Sequence, residues 1–254
     1  MIMILSGTQD GREIVDMLQN LKYPLLVTTA TAYGAELIPK NNRSIVIHKK
    51  LSKEEMQEMI INKNIKILID ATHPYAVEVS QNAIEVCKKK NVLYIRFQRK
   101  ESLLSQYEHR IYYASDYEEA ANRINTLKGN VLLTTGSKTL EIFTQSVDTN
   151  RLFPRVLPVS DVIKKCENLD IKPSHIIAMQ GPFSTQMNVE IIKKCKIDIL
   201  VSKDSGDYGG TMQKLEAAKL MNIFVVMIQR PKLNYPHVFD NIEDMINKVR
   251  IAYE

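Results

Sequence analysis

Residues 1–29, MIMILSGTQDGREIVDMLQNLKYPLLVTT, decide the fold class. An apolar run of strand length at residues 1–5 leads through a polar turn into a stretch whose apolar residues recur at helical spacing. A second apolar run follows at residues 24–29. Continuously apolar strands separated by an amphipathic helix are typical of parallel sheets with crossover helices. The segment therefore predicts an α/β fold.

The same alternation continues to the end of the chain. In the first part we predict strands at residues 1–5, 24–29, 44–47, 65–69 and 92–96, with amphipathic helices at residues 13–21 and 76–90. In the second part we predict strands near residues 130–134, 155–157, 175–179, 197–202 and 223–228, again with helices between them. No fixed-period repeat is present, which argues against a solenoid.

A polar, irregular stretch from residue 98 to 116 interrupts the alternation. We take it as a linker or crossover between an N-terminal α/β domain, residues 1–97, and a C-terminal α/β domain, residues 117–254. We expect two Rossmann-like, doubly wound parallel-sheet domains with a cleft between them. Ligands of such sheets bind beyond the carboxyl ends of the strands, so functional residues are expected there.

Composition limits the classes of partner. The 254 residues are 44% hydrophobic and 25% charged, as in ordinary globular proteins. The net charge of +5 comes from basic residues scattered among acidic ones, which favours a small anionic ligand over nucleic acid. Cys87, Cys166 and Cys195 have neither disulfide-framework nor zinc-site spacing. With no membrane-spanning run or signal-peptide core, we expect a cytoplasmic monomer without metal, membrane or nucleic-acid partners.

The turn after the first strand is a candidate anion site. Backbone N–H groups around Gly7 and Thr8, together with the start of a helix, could cradle a phosphate. The dinucleotide fingerprint fits poorly, because aligning its last glycine on Gly11 places Ser6 and Thr8 where glycines are required. A tight turn with Thr8 or Asp10 as the helix cap explains the segment equally well.

The fourth predicted strand ends in a dense group of polar side chains. Asp70, Thr72 and His73 are candidate substrate-binding residues, and Ser80 in the next helix extends the group. Pro74 suits a first helical turn, with His73 or Thr72 near the cap. The alternative is a capped helix with a structural histidine.

A second candidate anion turn follows the strand near residues 130–134. Thr134, Thr135, Gly136, Ser137 and Lys138 combine three hydroxyls, a glycine and a cation, which suits a phosphate or a carboxylate. A Walker A loop is excluded because the required earlier glycine is absent. A hydroxyl cap with a solvated lysine is the alternative.

Lys203 and Asp204 are adjacent at a predicted strand end, and glycines follow at positions 206, 209 and 210. Glycines allow a ligand to approach the backbone, and the pair offers a proton donor. A flexible turn with an exposed ion pair is the alternative, but the coincidence of strand, charged pair and glycines favours function. Further candidate substrate-binding residues in this part of the chain are Gln180, Gly181, Ser184, Ser205, Gly206, Tyr208 and Arg230.

The order and spacing of these motifs resemble the precorrin-6A reductase family of corrin-ring biosynthesis, which includes the cobalt-precorrin-6A reductases of the oxygen-independent route. The similarity covers most of the chain. It is carried by the Gly7-Thr8 turn with Gly11-Arg12, residues 70–76 with Asn82, residues 134–138, 180–184 and 203–206, Gly209-Gly210 and Arg230-Pro231. The resemblance implies a two-domain reductase that transfers a hydride from NADPH or NADH to (cobalt-)precorrin-6A, giving (cobalt-)precorrin-6B.

The resemblance also suggests roles for residues. Lys203 and Asp204 are the candidates for proton delivery, with Tyr208 and His73 behind them. The cofactor would use Gly7, Thr8 and the turn at residues 134–138. Lys138, Arg155 and Arg230 could bind the acetate and propionate groups of a tetrapyrrole.

The chain departs from the family pattern after its second strand. Members of the oxygen-dependent branch often have a basic residue there, whereas this chain reads Thr28-Thr29-Ala30-Thr31. The choice between NADPH and NADH is therefore open, and Arg43 could serve a 2′-phosphate.

Two other functional classes are compatible with these motifs. A cofactor-free synthase or lyase acting on an anionic tetrapyrrole would need two α/β units and an anion site but no nicotinamide. A non-enzymatic nucleotide sensor would need the turns at Gly7 and Gly136 but not the Lys203 and Asp204 pair.

Overall fold

The computed structural model describes residues 1–39, 41–98, 110–204 and 210–253. The chain divides into two compact units, Met1–Lys100 with Pro231–Glu254, and Glu101–Arg230. Within the described ranges each unit contains a parallel sheet of six strands. Helices pack against the strands of both sheets. The predicted α/β class is confirmed.

The strands, numbered in chain order, are β1 (Ile2–Ser6), β2 (Leu25–Thr29), β3 (Ser44–His48), β4 (Ile67–Ala71), β5 (Leu93–Phe97), β6 (Ile111–Ala114), β7 (Asn130–Leu133), β8 (Leu152–Val156), β9 (Ile177–Ala178), β10 (Ile197–Lys203), β11 (Phe224–Ile228) and β12 (Val238–Phe239). The α-helices are α1 (Gln9–Asn20), α2 (Ala32–Glu36), α3 (Lys53–Asn62), α4 (Val77–Lys90), α5 (Tyr117–Asn125), α6 (Leu140–Ser146), α7 (Ser160–Asn168), α8 (Thr185–Lys194), α9 (Thr211–Leu220) and α10 (Ile242–Tyr253). Short 3₁₀ turns lie at Ser137–Thr139, Thr149–Arg151 and Pro173–His175.

The outermost strand of each sheet comes from an unexpected part of the chain. The first sheet has the order β12-β5-β4-β1-β2-β3, and the second has the order β6-β11-β10-β7-β8-β9. β6 follows β5 in the chain but pairs with β11, whereas β12 follows β11 but pairs with β5. The first sheet is thus a doubly wound set of five consecutive strands completed by β12 from the returning C-terminal segment, whereas the second sheet is built from the six consecutive strands β6 to β11.

The two compact units differ from the predicted domains at two places. The stretch predicted as a linker, residues 98–116, contains β6, which pairs in register with β11 from Ile111 to Ala114. The predicted C-terminal domain, residues 117–254, loses its last segment to the first unit. Met245, Ile246 and Val249 of α10 are buried in the core of that unit, so burial of this apolar face fixes the segment there.

Helix α1 shows why the local sequence pattern predicted this helix. The Thr8 side chain accepts a hydrogen bond from the Gly11 N–H at 3.0 Å and caps the helix, so Thr8 is the cap among the two candidates. Ile14 and Leu18 of the predicted apolar face are fully buried. Leu21 lies just beyond the helix and is exposed, because the helix ends at Asn20.

Both sheets have a point where the strand order reverses. β1 lies between β2 and β4, and β7 lies between β8 and β10. The strand ends touch there: the Thr8 hydroxyl donates to the Ala71 carbonyl at 2.9 Å, and the Thr134 N–H donates to the Val201 carbonyl at 2.9 Å. Ligands of doubly wound sheets bind at such points, beyond the carboxyl ends of the strands.

Three global features of the described ranges bear on partners. None of their helices combines the length and the apolar character needed to cross a bilayer. They contain no group of three or more His, Cys, Asp or Glu side chains arranged to hold a metal ion. Cys87, Cys166 and Cys195 are not joined in disulfides.

Candidate active site

The turn between β1 and α1 has free space beside one of its glycines and a close packing contact beside the other. A Cβ on Gly7 would meet no atom within 4 Å, whereas a Cβ on Gly11 would lie 2.6 Å from the Ser6 Oγ. Gly11 thus allows α1 to pack against its strand, which is the role of the last glycine in dinucleotide-binding turns. The Thr8 hydroxyl is used within the turn, since it caps α1 and donates to Ala71. The exposed Gly7 backbone is the part that a phosphate could approach.

Asp70, at the carboxyl side of β4, is a buried anchor. It is fully buried, and its Oδ1 accepts from the Arg96 Nη1 at 2.8 Å and from the Thr72 hydroxyl at 2.6 Å. Its Oδ2 accepts from the hydroxyls of Tyr94 at 2.7 Å and Ser80 at 2.6 Å. Because both oxygens are occupied and closed to solvent, Asp70 supports the turn from its buried side. Its role in substrate binding stays a prediction.

The same network fixes the turn that carries Thr72 and His73. Arg96 donates to the Thr72 hydroxyl at 3.1 Å and to the Thr72 carbonyl at 3.0 Å. His73 is half-buried, and its Nδ1 accepts from the Tyr75 N–H at 3.3 Å. The N-cap of α4 is Ala76. The expectation that Thr72 or His73 would lie at the cap of this helix is therefore wrong. Thr72 and His73 remain at the reversal point beside β1.

The turn after β7 has an inner and an outer set of groups. The Thr134 hydroxyl donates to the Val201 carbonyl at 2.7 Å, and the buried Thr135 hydroxyl lies 2.9 Å from that of Thr139. Gly136 has a φ of 87°, which glycine adopts without strain, and a Cβ there would meet nothing within 4 Å. The groups left at the surface of the turn are Gly136, Ser137 and Lys138.

Lys203 is the last residue of the neighbouring strand β10, and Asp204 follows it. Burial first, and then the charge of Lys138, lower the pKa of Lys203 from 10.5 to about 8. Asp204 is buried, and its Oδ2 lies 3.3 Å from the Nε of Arg230, which also donates to the Asp204 carbonyl at 3.1 Å. The pair is therefore built into the end of the sheet, and Lys203 can exchange a proton near neutral pH.

Two more buried cations lie in this unit. Arg155 on β8 donates to the Asn188 Oδ1 at 2.7 Å, its guanidinium lies 4.0 Å from the centre of the Phe183 ring, and burial lowers its pKa to about 10. Lys214 in α9 is 5% exposed. Burial first, and then the charges of Arg155 and Lys203, lower the pKa of Lys214 to about 7.

The remaining predicted residues fall into three groups. Gln180 and Gly181 are exposed beyond β9. Ser184 caps α8 by accepting from the Met187 N–H at 3.2 Å, so its hydroxyl has a local structural role. Ser205, Gly206 and Tyr208 lie outside the described residues.

Arg43 does not lie where a cofactor 2′-phosphate would be expected. Its carbonyl accepts from the Leu25 N–H at the start of β2, and its Nη1 donates to the Lys22 carbonyl at 3.4 Å. It therefore lies at the amino end of the first sheet, opposite the edge at which Gly7 lies. This place argues against a 2′-phosphate contact, because residues preceding a parallel strand lie at the edge opposite its carboxyl end.

Sequence reasoning missed Arg96 and Lys214. Arg96 lies in a strand that is otherwise apolar, and its ring contact with Tyr235, at 5.1 Å, comes from the returning C-terminal segment. Lys214 shares the i, i+3, i+4, i+7 spacing of a core-facing stripe with Thr211, Leu215 and Ala218. A lysine at a core-facing position was the signal that could have found it.

The sequence model described as precorrin-6x reductase CbiJ/CobK matches residues 1–250. The chain belongs to the precorrin-6x reductase family. The chain is 38% identical to a protein named cobalt-precorrin-6A reductase from Methanocaldococcus jannaschii, over 98% of this chain and 97% of that protein. It is 34% identical to one of the same name from Priestia megaterium, over 97% of both chains.

The fold of the family is also shared. A solved structure titled CobK precorrin-6A reductase superposes with a TM-score of 0.79 over 99% of this chain and 96% of the other, at 20% sequence identity. This likeness supports the paired α/β architecture. Family membership confirms the resemblance found in the motifs, and the reductase name implies a hydride donor.

Proposed function

We propose that this chain reduces (cobalt-)precorrin-6A to (cobalt-)precorrin-6B with a hydride from NADPH or NADH. Family membership and full-length similarity to proteins named cobalt-precorrin-6A reductase support this reaction over a cofactor-free synthase. The observation that carries it is the group at the end of β10, where Lys203, with its lowered pKa, is followed by the buried Asp204.

Each of the two open turns suits a phosphate group. Gly7 and Gly136 both leave space where a side chain would stand, and Lys138 supplies an exposed cation beside Gly136. When bound, the nicotinamide supplies the hydride. We assign Gly7, Thr8 and residues 134–138 to the phosphates, with Thr8, Thr134 and Thr135 acting through the shape of the turns.

The substrate is a macrocycle with carboxylate side chains, and the second unit offers groups for both parts. Arg155 and Arg230 are cations near the carboxyl ends of β8 and β11. Leu157, Val159 and Met179, just beyond β8 and β9, are exposed large apolar side chains with 47%, 49% and 37% of their surface accessible. We assign these apolar side chains to the face of the ring and the cations to its acetate and propionate groups.

Lys203 is the proposed proton donor. Reduction of a conjugated ring builds negative charge, and a proton must reach the carbon next to the one reduced. An ammonium whose pKa is about 8 is mostly protonated at pH 7 and gives up its proton more readily than a solvated lysine. Asp204, held by Arg230, orients this end of the strand.

The decisive experiment is an anaerobic absorbance assay with enzymatically prepared precorrin-6A and its cobalt form, each with NADH and with NADPH. We expect turnover of at least one form with one of the cofactors. Calorimetry with each cofactor gives the independent measurement. If neither cofactor gives binding heat, with or without a substrate analogue, the reductase proposal fails and the hypothesis of a cofactor-free synthase is favoured.

A further inference from the structure

Among the residues that the structure describes, two buried cations of the second unit have no carboxylate paired to them alone. Arg155 and Lys214 are 9% and 5% exposed, and the partners of Arg155 are the Asn188 amide and the Phe183 ring, which carry no charge. None of the hydrogen bonds or ion pairs within the described ranges involves the Lys214 amine. The Asp204 carboxylate acts on Lys214 electrostatically but is already paired with Arg230.

Burial of an amine in this way disfavours folding unless an anion compensates it. A leucine or methionine would fill the same core-facing position of α9 without that penalty. The lowered pKa of Lys214, to about 7, has the same cause, because burial and the neighbouring Arg155 and Lys203 disfavour its charged form. The buried cations Arg155 and Lys214 therefore form a site that a ligand with a negatively charged group would neutralise.

The start of α9 adds a second, independent observation. Lys214 lies in the first turns of this ten-residue helix, whose positive end carries no acidic residue. The neighbouring Gln213 has a buried Oε1 without a hydrogen-bond partner, 3.7 Å from where a Cβ of Gly210 would lie. Turning that amide places its NH₂ group at the same point, where it could donate to an anion.

We propose that Lys214 and Arg155, with the Gln213 amide, bind one carboxylate of the substrate; this rests on the proposed tetrapyrrole reductase function. A phosphate of the cofactor has similar chemistry. Arg155, however, lies on β8, which leads directly into the segment with the exposed Leu157 and Val159, whereas the open turn assigned to the phosphates is at Gly136. Lys214 thus determines substrate affinity without taking part in hydride or proton transfer.

The test compares Lys214→Met with Lys219→Met, which changes an exposed lysine of the same helix. Uroporphyrin, a stable tetrapyrrole with acetate and propionate groups, is titrated against each protein and followed by its absorbance. We expect Lys214→Met to weaken porphyrin binding by roughly tenfold or more, and Lys219→Met to change it by no more than about twofold. Affinities for NADH and NADPH should stay unchanged in both.

Thermal unfolding separates this role from a structural one. Removing a buried, uncompensated amine should leave the melting temperature of Lys214→Met equal to or above that of the wild type. Lys214→Gln, which keeps a polar group but no charge, should lose porphyrin affinity in the same way.

Three results would overturn the inference. One is unchanged porphyrin affinity in both Lys214 variants. Another is a loss of cofactor affinity instead, which would make a phosphate the ligand. The third is a wild-type enzyme that reduces cobalt-precorrin-6A with a KM that Lys214→Met leaves unaltered. A wild-type protein that binds uroporphyrin through Lys214 but reduces neither precorrin form would instead refute the proposed reaction alone.

Discussion

The buried pair of Asp70 and Arg96 should dominate the stability of the first unit. Asp70→Asn keeps the shape of the side chain but leaves the fully buried Arg96 guanidinium without its counter-charge. Removing one partner of a buried ion pair costs roughly 3 to 5 kcal/mol. For a protein of this size each kcal/mol lowers the melting temperature by about 2 to 4 °C, so we expect a fall of roughly 6 to 20 °C.

The assay is thermal unfolding followed by circular dichroism, with urea unfolding as the second measure. Glu190→Gln is the control, because it removes an exposed ion pair with Lys193 and should cost less than about 1 kcal/mol. The double variant Asp70→Asn with Arg96→Met should lose less than the sum of its single variants, since it leaves no unpaired charge. A loss below about 1 kcal/mol for Asp70→Asn, or strict additivity, would refute this account.

The remaining predictions concern the site. Lys203→Met should lower turnover by roughly 10² to 10⁴ with little change in cofactor affinity; a rise in KM at constant kcat would mean that Lys203 only binds a carboxylate. Because its ammonium is the acid and burial lowers its pKa to about 8, wild-type turnover should fall as pH rises through 8, and a flat profile to pH 10 would contradict this. Asp204→Asn should be as damaging, and the double variant no worse, if the two act as one unit. Gly136→Val should weaken ligand binding at least about tenfold, about 1.4 kcal/mol, relative to Gly136→Ala. The alanine variant is the control because it shares the backbone strain of the positive φ. Equal affinities of the two variants would mean that the turn only begins the helix and binds no ligand.

Local sequence was enough to predict the strands that are built around an apolar run. β1, β2, β3 and β11 begin or end within one residue of their predicted bounds. β6 and β12 were missed because they are short and lie in polar surroundings. Their place is decided by pairing with strands far away in the chain, and no local pattern records such pairing.

The candidate site divides in the same way. Strand-end turns such as Gly136–Lys138 could be predicted, because glycine, hydroxyls and a cation after an apolar run have a recognisable chemistry. The burial of Asp70 could not, since it depends on Arg96 from the next strand. The burial of Lys214 was not predicted for a related reason. A lysine in a helix is expected to be exposed to solvent until the packing of that helix is known.

The return of β12 to the first sheet has a consequence for how the protein is made on the ribosome. Residues 101–230 are continuous, so the second unit can finish folding as soon as it has emerged, whereas the first unit must wait for β12 and α10. Until the segment with β12 has been synthesised, β5 lacks the bonds in which the Arg96 and Gln98 N–H groups donate to the carbonyls of His237 and Phe239. The unit synthesised first is thus completed last, and during that interval the unpaired edge of β5 is open to pairing with other chains, which promotes aggregation.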